Sequence, residues 1–157
     1  MPFVHSKAVC INFGTKSITM KKLILVSLMF FGAICISIAQ SVPYHVVFDV
    51  TSHDTVDHRL AIRWATEVIT TAPDAQVELV FYGKSMDMIN KDKSTVAEAI
   101  TKLSEKKNVS FRVCEVALKN NHLEKSQLVA GVGTVPDGIY EIIKKQAEGW
   151  GYIKVSH

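Results

Sequence analysis

One sulfur atom poses the chemical question. Cys114 lies in the run Ser110-Phe111-Arg112-Val113-Cys114-Glu115-Val116-Ala117-Leu118-Lys119-Asn120, where a strand-forming stretch stops at a thiol and a helix-forming stretch begins. At such a junction the free amides of a helix start favour the thiolate, the form of sulfur that acts as a nucleophile. Arg112, two residues back and on the same side of an alternating strand, adds positive charge, and Glu115 opposes it. Cys10 and Cys35 fall in a front segment expected to be removed, so Cys114 has no intrachain partner in the mature domain. A solitary thiol in an exported domain is buried and inert, joined to another chain, or reactive, and the sequence leaves all three open.

The other polar positions carry weaker signals. His53 and His58 are five apart in His53-Asp54-Thr55-Val56-Asp57-His58, whereas a helix presents metal ligands at three or four; capping and solvation are the commoner roles, and no metal is expected. Tyr82-Gly83-Lys84 ends an apolar run, with Lys84 available to an anionic ligand or to water. Gly131-Val132-Gly133-Thr134 lacks the third glycine of a dinucleotide fingerprint and reads as a tight loop. No Ser-His-Asp arrangement and no motif-bearing carboxylate pair is present, and no cofactor is expected.

What must position these residues begins well inside the chain. Of 157 residues, the first acid is Asp49, while Lys7, Lys16, Lys21 and Lys22 precede it. Met20-Lys21-Lys22, the apolar run Leu23 to Ile36, and Ser37-Ile38-Ala39 have the three-part form of a secretory signal peptide cleaved after Ala39. The apolar run falls short of the roughly 20 residues a membrane span needs. Residues 1–19 read as an extension upstream of the true start at Met20. The mature domain is then 40–157, periplasmic or secreted from a bacterial host, with no membrane attachment after cleavage. Its near-neutral charge offers no basic face for nucleic acid.

Within that domain strands and helices alternate. Tyr44 to Val50 and Val77 to Tyr82 are β-branched and aromatic without polar alternation, as in strands buried on both faces of a parallel sheet. A helix through about Thr70 places Leu60, Ala61, Trp64, Ala65, Val68 and Ile69 on one side, and another over 94–106 turns Val96, Ala99, Ile100 and Leu103 inward. Val109 to Val113 is the third strand, with a short helix from Glu115 towards His122. Gln127 to Ala130 reads as the fourth strand, and Thr134 with Asp137 as the capping box of a helix running to about Ala147. Trp150 to Val155 is the last strand. The alternation predicts an α/β fold, a three-layer α/β/α domain on a mainly parallel five-stranded sheet. Its ligand crevice belongs at the carboxyl ends of the strands: His53, Tyr82, Gly83, Lys84, Arg112, Cys114 and the loop Gly131, Gly133, Thr134. Trp150 and Tyr152 lie near an edge, where either a subunit interface or the core takes them.

Gly83 after an apolar strand, Val109-Ser110-Phe111-Arg112-Val113-Cys114, Gly131-Val132-Gly133-Thr134-Val135-Pro136-Asp137-Gly138 and Glu148-Gly149-Trp150-Gly151-Tyr152-Ile153-Lys154 together resemble the DsrE/DsrF-like family. The resemblance implies assembly as a homotrimer or homohexamer. It also implies a role for Cys114 like that of the strand-three cysteine in sulfur-relay members, which accepts persulfide sulfur from a donor protein and yields it to an acceptor. The alternatives are a non-catalytic oligomeric module that binds a small ligand, and a thiol redox sensor. Two departures from the relay pattern stand out: the export signal, and Tyr82 where many relatives carry histidine before the glycine.

Overall fold

The structure is a computed structural model that describes residues 44–157; the front segment, with Cys10, Cys35 and the expected cleavage at Ala39, lies outside the described residues. The elements are β1 (His45–Val50), α1 (Thr55–Thr71), β2 (Gln76–Phe81), α2 (Met86–Ile89), α3 (Ala97–Ser104), β3 (Val109–Cys114), α4 (Glu115–Asn120), a 3-10 turn (Lys125–Gln127), β4 (Val132–Val135), α5 (Gly138–Ala147) and β5 (Gly151–Lys154). The five strands lie in the order β4-β3-β2-β1-β5, and every pair is parallel. The expected α/β architecture is therefore present, with β3 and β4 adjacent.

Connectivity decides which face each helix covers. From β1 to β4 the chain steps across the sheet in one direction, so right-handed crossovers keep α1 to α4 on a single face. From β4 at one edge it returns to β5 at the other, and α5 crosses the opposite face alone. Successive residues of each strand alternate between the two faces. Val46, Phe48, Val50, Val77, Leu79, Phe81, Val109, Phe111 and Val113 point towards Ala61, Ala65 and Val68 of α1, Ile100 and Leu103 of α3, and Ala117 and Leu118 of α4. Each fully buried Phe, Leu or Val there contributes about 1.5–3 kcal/mol, so this face supplies most of the hydrophobic stabilisation. On the other face the apolar cluster is small: Val47, Val80 and Ile142 of α5, with Tyr82 and Trp150 against it. Trp150 finds its place inside the domain, its ring 5.3 Å from that of His45 and under the Lys145 ammonium at 4.3 Å.

Three elements differ from the sequence reading. Gln127 to Ala130 is not the fourth strand: Leu128 makes one antiparallel bridge to Asn90, and the Val129 amide donates to Ile89 O at 2.9 Å, so the stretch braces α2 instead. The sheet is continued by the glycine run itself, as β4. The Arg112 side chain lies over Gly133, its Nη1 in the space a Cβ there would take. The cap of α5 is Asp137, whose Oδ1 accepts from the Ile139 and Tyr140 amides at 2.8 and 3.0 Å; Thr134 is spent in β4, and Pro136 precedes the cap. Residues 90–96 are held in turns by the Asn90 and Ser94 side chains, which delays α3 to Ala97.

Candidate functional site

Cys114 is the last residue of β3 and the N-cap residue of α4, paired across the sheet with Val135 of β4. It is 6% exposed. A second helix start closes over it. A Cβ built on Gly138, the first residue of α5, would stand 3.1 Å from Cys114 Cβ, 3.2 Å from Val80 Cγ1 and 3.5 Å from Tyr82 Cδ1. Glycine at 138 thus lets the first turn of α5 settle onto the strand ends beside the thiol, with its Ile139 and Tyr140 amides taken up by Asp137 Oδ1.

The neighbours divide the charge. Arg112 shares the face of Cys114, but its guanidinium extends towards β4, over Gly133. Glu115 accepts from Lys125 Nζ at 2.6 Å and from Thr134 Oγ1 at 2.9 Å; the Lys125 hydrogen bond foremost holds its carboxyl below the usual range. Its negative charge is therefore matched by Lys125 beside the start of α4.

Register then extends the site away from Cys114. Phe81 pairs with Val113, so Tyr82 and Cys114 are lateral neighbours on one face; Val80 pairs with Asp49, and Asp49 with Lys154. Asp49 is 4% exposed. Its Oδ2 accepts from Tyr152 Oη at 2.7 Å and Lys154 Nζ at 3.1 Å, while its Oδ1 is buried without a hydrogen-bond partner among the described residues. Lys154 Nζ also donates to Thr51 Oγ1 at 2.6 Å and lies 5.9 Å from the Tyr82 ring centroid. Burial first, then the Asp49 charge, push the Tyr82 phenol well above its ordinary range, and the Tyr152 phenol is pushed up to about 12 by burial and its bond to Asp49. Both phenols are neutral donors at any physiological pH.

This polar row was only half legible in the sequence. Tyr82, Gly83, Arg112 and Cys114 come together at the strand ends, and Gly83 turns the chain in the left-handed region at φ 65°. Lys84 is exposed beyond that turn, and His53 is exposed in the loop after β1. His58 is buried with Nε2 3.0 Å from Ser52 O, a structural role. The glycine segment is the one misplaced group. Gly131, Gly133 and Thr134 lie before and within β4 rather than beyond it, and a Cβ at Gly131 would strike Ser104 Oγ at the end of α3. The true loop after β4 is Pro136-Asp137. Asp49, Tyr152, Lys154 and Gly138 were missed. The available signal was the period-two alternation of Tyr152 and Lys154 with Ile153 and Val155, together with one acid inside an otherwise apolar strand.

Cys114 itself lines neither main cavity, though the second is bordered by its neighbour Glu115 and by Lys125. One of about 650 Å³ opens on the apolar face beside Phe48, Trp64, Val68 and Ile153, and one of about 550 Å³ lies between Leu118 and His122. No group of three or more potential metal ligands occurs among the described residues.

Comparison with known proteins agrees with this fold. A family model described as the DsrE/DsrF-like family matches residues 45–155. Among solved structures, a protein of unknown function, MTH1491 from Methanobacterium thermoautotrophicum, is 26% identical with a TM-score of 0.66, the match covering 71% of this chain and 98% of that one. The ychN protein from E. coli shares the fold at 11% identity, with a TM-score of 0.59 and the same coverages. No curated protein matches the chain.

Proposed function

Because the chain belongs to the DsrE/DsrF-like family, we propose that it is a thiol-based sulfur carrier whose working atom is Cys114 Sγ. The observation that carries the reading is the position of Cys114, at the carboxyl end of β3 between the starts of α4 and α5. The Cys114 thiolate attacks the outer sulfur of a donor persulfide; the new S–S bond forms on Cys114 as the donor's S–S bond breaks, and the donor leaves as a thiolate. An acceptor thiolate then takes the outer sulfur, and Cys114 is returned as a thiolate. The exchange is redox-neutral and favours a thiol that ionises near ambient pH. At 6% exposure the sulfur is reached through local opening of the first turn of α4 or α5.

The test is incubation with a small-molecule persulfide, followed by peptide mapping of the segment Val113 to Lys119. One added sulfur on Cys114, absent in Cys114→Ser, is the expected result. Sulfur retained elsewhere at equal yield in the Cys114→Ser protein would reject it.

The same reading includes self-association. Ile139, Tyr140 and Ile143 are 56%, 67% and 56% exposed on α5, three large apolar groups on one short helix. We assign them to contact with further copies of the chain in a homotrimer or homohexamer, the assembly the family resemblance implies. We assign this activity to the periplasm or the outside of the cell; the basic n-region, apolar run and Ser37-Ile38-Ala39 site support that reading.

A further inference from the structure

We propose that Arg112 is the specificity-determining residue of the thiol site: its guanidinium receives the anionic end of a small thiol or persulfide, an oxyanion carried a few bonds from the sulfur that meets Cys114. The inference rests on the sulfur-carrier reading for its purpose, though not for its test.

Among the described residues, Arg112 and Lys145 are the two bases drawn partly below the surface; every other Lys and Arg is exposed. The two are treated differently. Lys145 is matched by Glu78 at 3.5 Å and Glu141 at 3.8 Å. Arg112 has no ion pair and no side-chain hydrogen bond among the described residues, and the register explains why. It stands between Val80 of β2 and Gly133 of β4, neither of which offers an acceptor side chain. Ser110, before it on the same face, donates to Glu78 Oε2 at 2.9 Å, and Glu115 is engaged by Lys125 and Thr134. The guanidinium lies instead over Gly133, where the three atoms nearest to a Cβ built there are all its own. A half-buried cation without a protein partner is costly to hold, and its planar fork of N–H donors fits two oxygens of one oxyanion.

The position suits a ligand whose other end is at the thiol. Gly133 shares the face of Cys114, one strand across and two residues back. A strand spacing of about 4.8 Å and a rise of about 3.3 Å per residue put their Cα atoms roughly 8 Å apart. A charged group two or three carbons from a reacting sulfur spans a gap of that size. At the same strand ends, Asp137 Oδ1 is taken up by the Ile139 and Tyr140 amides.

The experiment modifies Cys114 with three methanethiosulfonates of similar size that carry a sulfonate, no charge or a trimethylammonium group. Rates are read by mass on the peptide that holds Cys114 and divided by those of the same reagents on a free small thiol. All three reagents draw on one thiolate and one opening of the fold, so the normalised ratios cancel both. In the wild-type chain the sulfonate reagent should be favoured over the neutral one about tenfold, the size of one hydrogen bond to a charged group, and the trimethylammonium reagent disfavoured. Arg112→Gln should bring the ratios back to about those of the free thiol, and Arg112→Lys, with the charge but not the fork, should retain part of the preference. Free-thiol ratios in the wild-type chain, or a preference that survives in Arg112→Gln, overturn the inference. Should that variant fail to fold, a competing anion decides on the wild-type chain. Sodium acetate should slow the sulfonate reagent more than sodium chloride at equal ionic strength and spare the neutral one; equal slowing by both salts overturns the inference. These reagents need no persulfide. A chain that prefers the anion yet takes up no sulfur therefore defeats the carrier reading while leaving this one standing, and sulfur uptake without the preference does the reverse.

Discussion

The two faces of the sheet are built on opposite plans. One is sealed by four helices and lined by Phe48, Leu79, Phe81 and Phe111, all buried. The other has α5 alone, and every buried side-chain atom without a partner among the described residues lies on it: His45 Nδ1, Asp49 Oδ1 and Glu78 Oε1. Glu78 reaches Ser110 Oγ at 2.9 Å and Lys145 Nζ at 3.5 Å, but one oxygen remains unmatched. The difference teaches that stability and chemistry are separated by the thickness of a strand. The apolar face bears the cost of ordering the chain, and the polar face is left free to hold groups that a close-packed core would exclude.

The comparison can be broken most forcefully from the apolar side. Phe111→Ala, which empties a site 1% exposed, is expected to cost about 3–5 kcal/mol in chemical denaturation. A loss below about 1 kcal/mol would mean that this face is not the stabilising one. Gly138→Ala should cost less, about 1–2 kcal/mol, because the added methyl meets Cys114 Cβ at 3.1 Å and Val80 Cγ1 at 3.2 Å, atoms fixed close to strand backbone. Alkylation of Cys114 should quicken in the same variant, because a less firmly seated first turn of α5 opens more often. Lowered stability with an unchanged alkylation rate would show that α5 does not control access to the thiol.

Ile139→Asp with Ile143→Asp sharpens the polar side. Folding stability should stay within about 1 kcal/mol for the pair, since both side chains are exposed, while light scattering should report a monomer. An unaltered assembly would move the interface off α5. The smallest effect concerns the last residue. His157 Nδ1 lies 2.9 Å from Asp57 Oδ1, tying the end of the chain to the first turn of α1. That bond raises His157 above its ordinary 6.5, so its contribution is present below 6.5 and is lost as pH rises through the folded value. Burial alone would raise Asp57, but the Ser52 and His157 hydrogen bonds bring it below its ordinary 3.8, a contribution present above 3.8 and lost as pH falls further. His157→Ala should therefore lower the melting temperature by a few degrees at most between about pH 4 and 6.5, and leave it unchanged at about pH 8. A loss that persists undiminished at pH 8 would contradict the pairing.

These elements also show how far the residues alone carried the fold and the site. Strands β1 and β2 announced themselves because they are buried on both sides, β3 because Val109, Phe111 and Val113 alternate with Ser110 and Arg112, and the end of β3 located Cys114 without coordinates. The fourth strand did not, because Gln127 to Ala130 has the composition of a strand while Gly131 to Thr134 has that of a turn. The structure shows the Arg112 side chain lying over Gly133, so a residue without a side chain leaves room for it in β4. Asp49, Tyr152 and Lys154 stayed hidden for a topological reason. Asp49 is more than 100 residues from the other two in sequence, and nothing local says that β5 pairs with β1 and not with β4.

The central claim is that sulfur resides on Cys114 in transit. Its most direct test is to load the chain with a persulfide, remove the donor, add a second thiol, and follow the Val113 to Lys119 peptide by mass. The account predicts one extra sulfur on that peptide after loading and its departure to the added thiol within minutes. A peptide that never gains sulfur, at a pH where the same cysteine is alkylated, would contradict it.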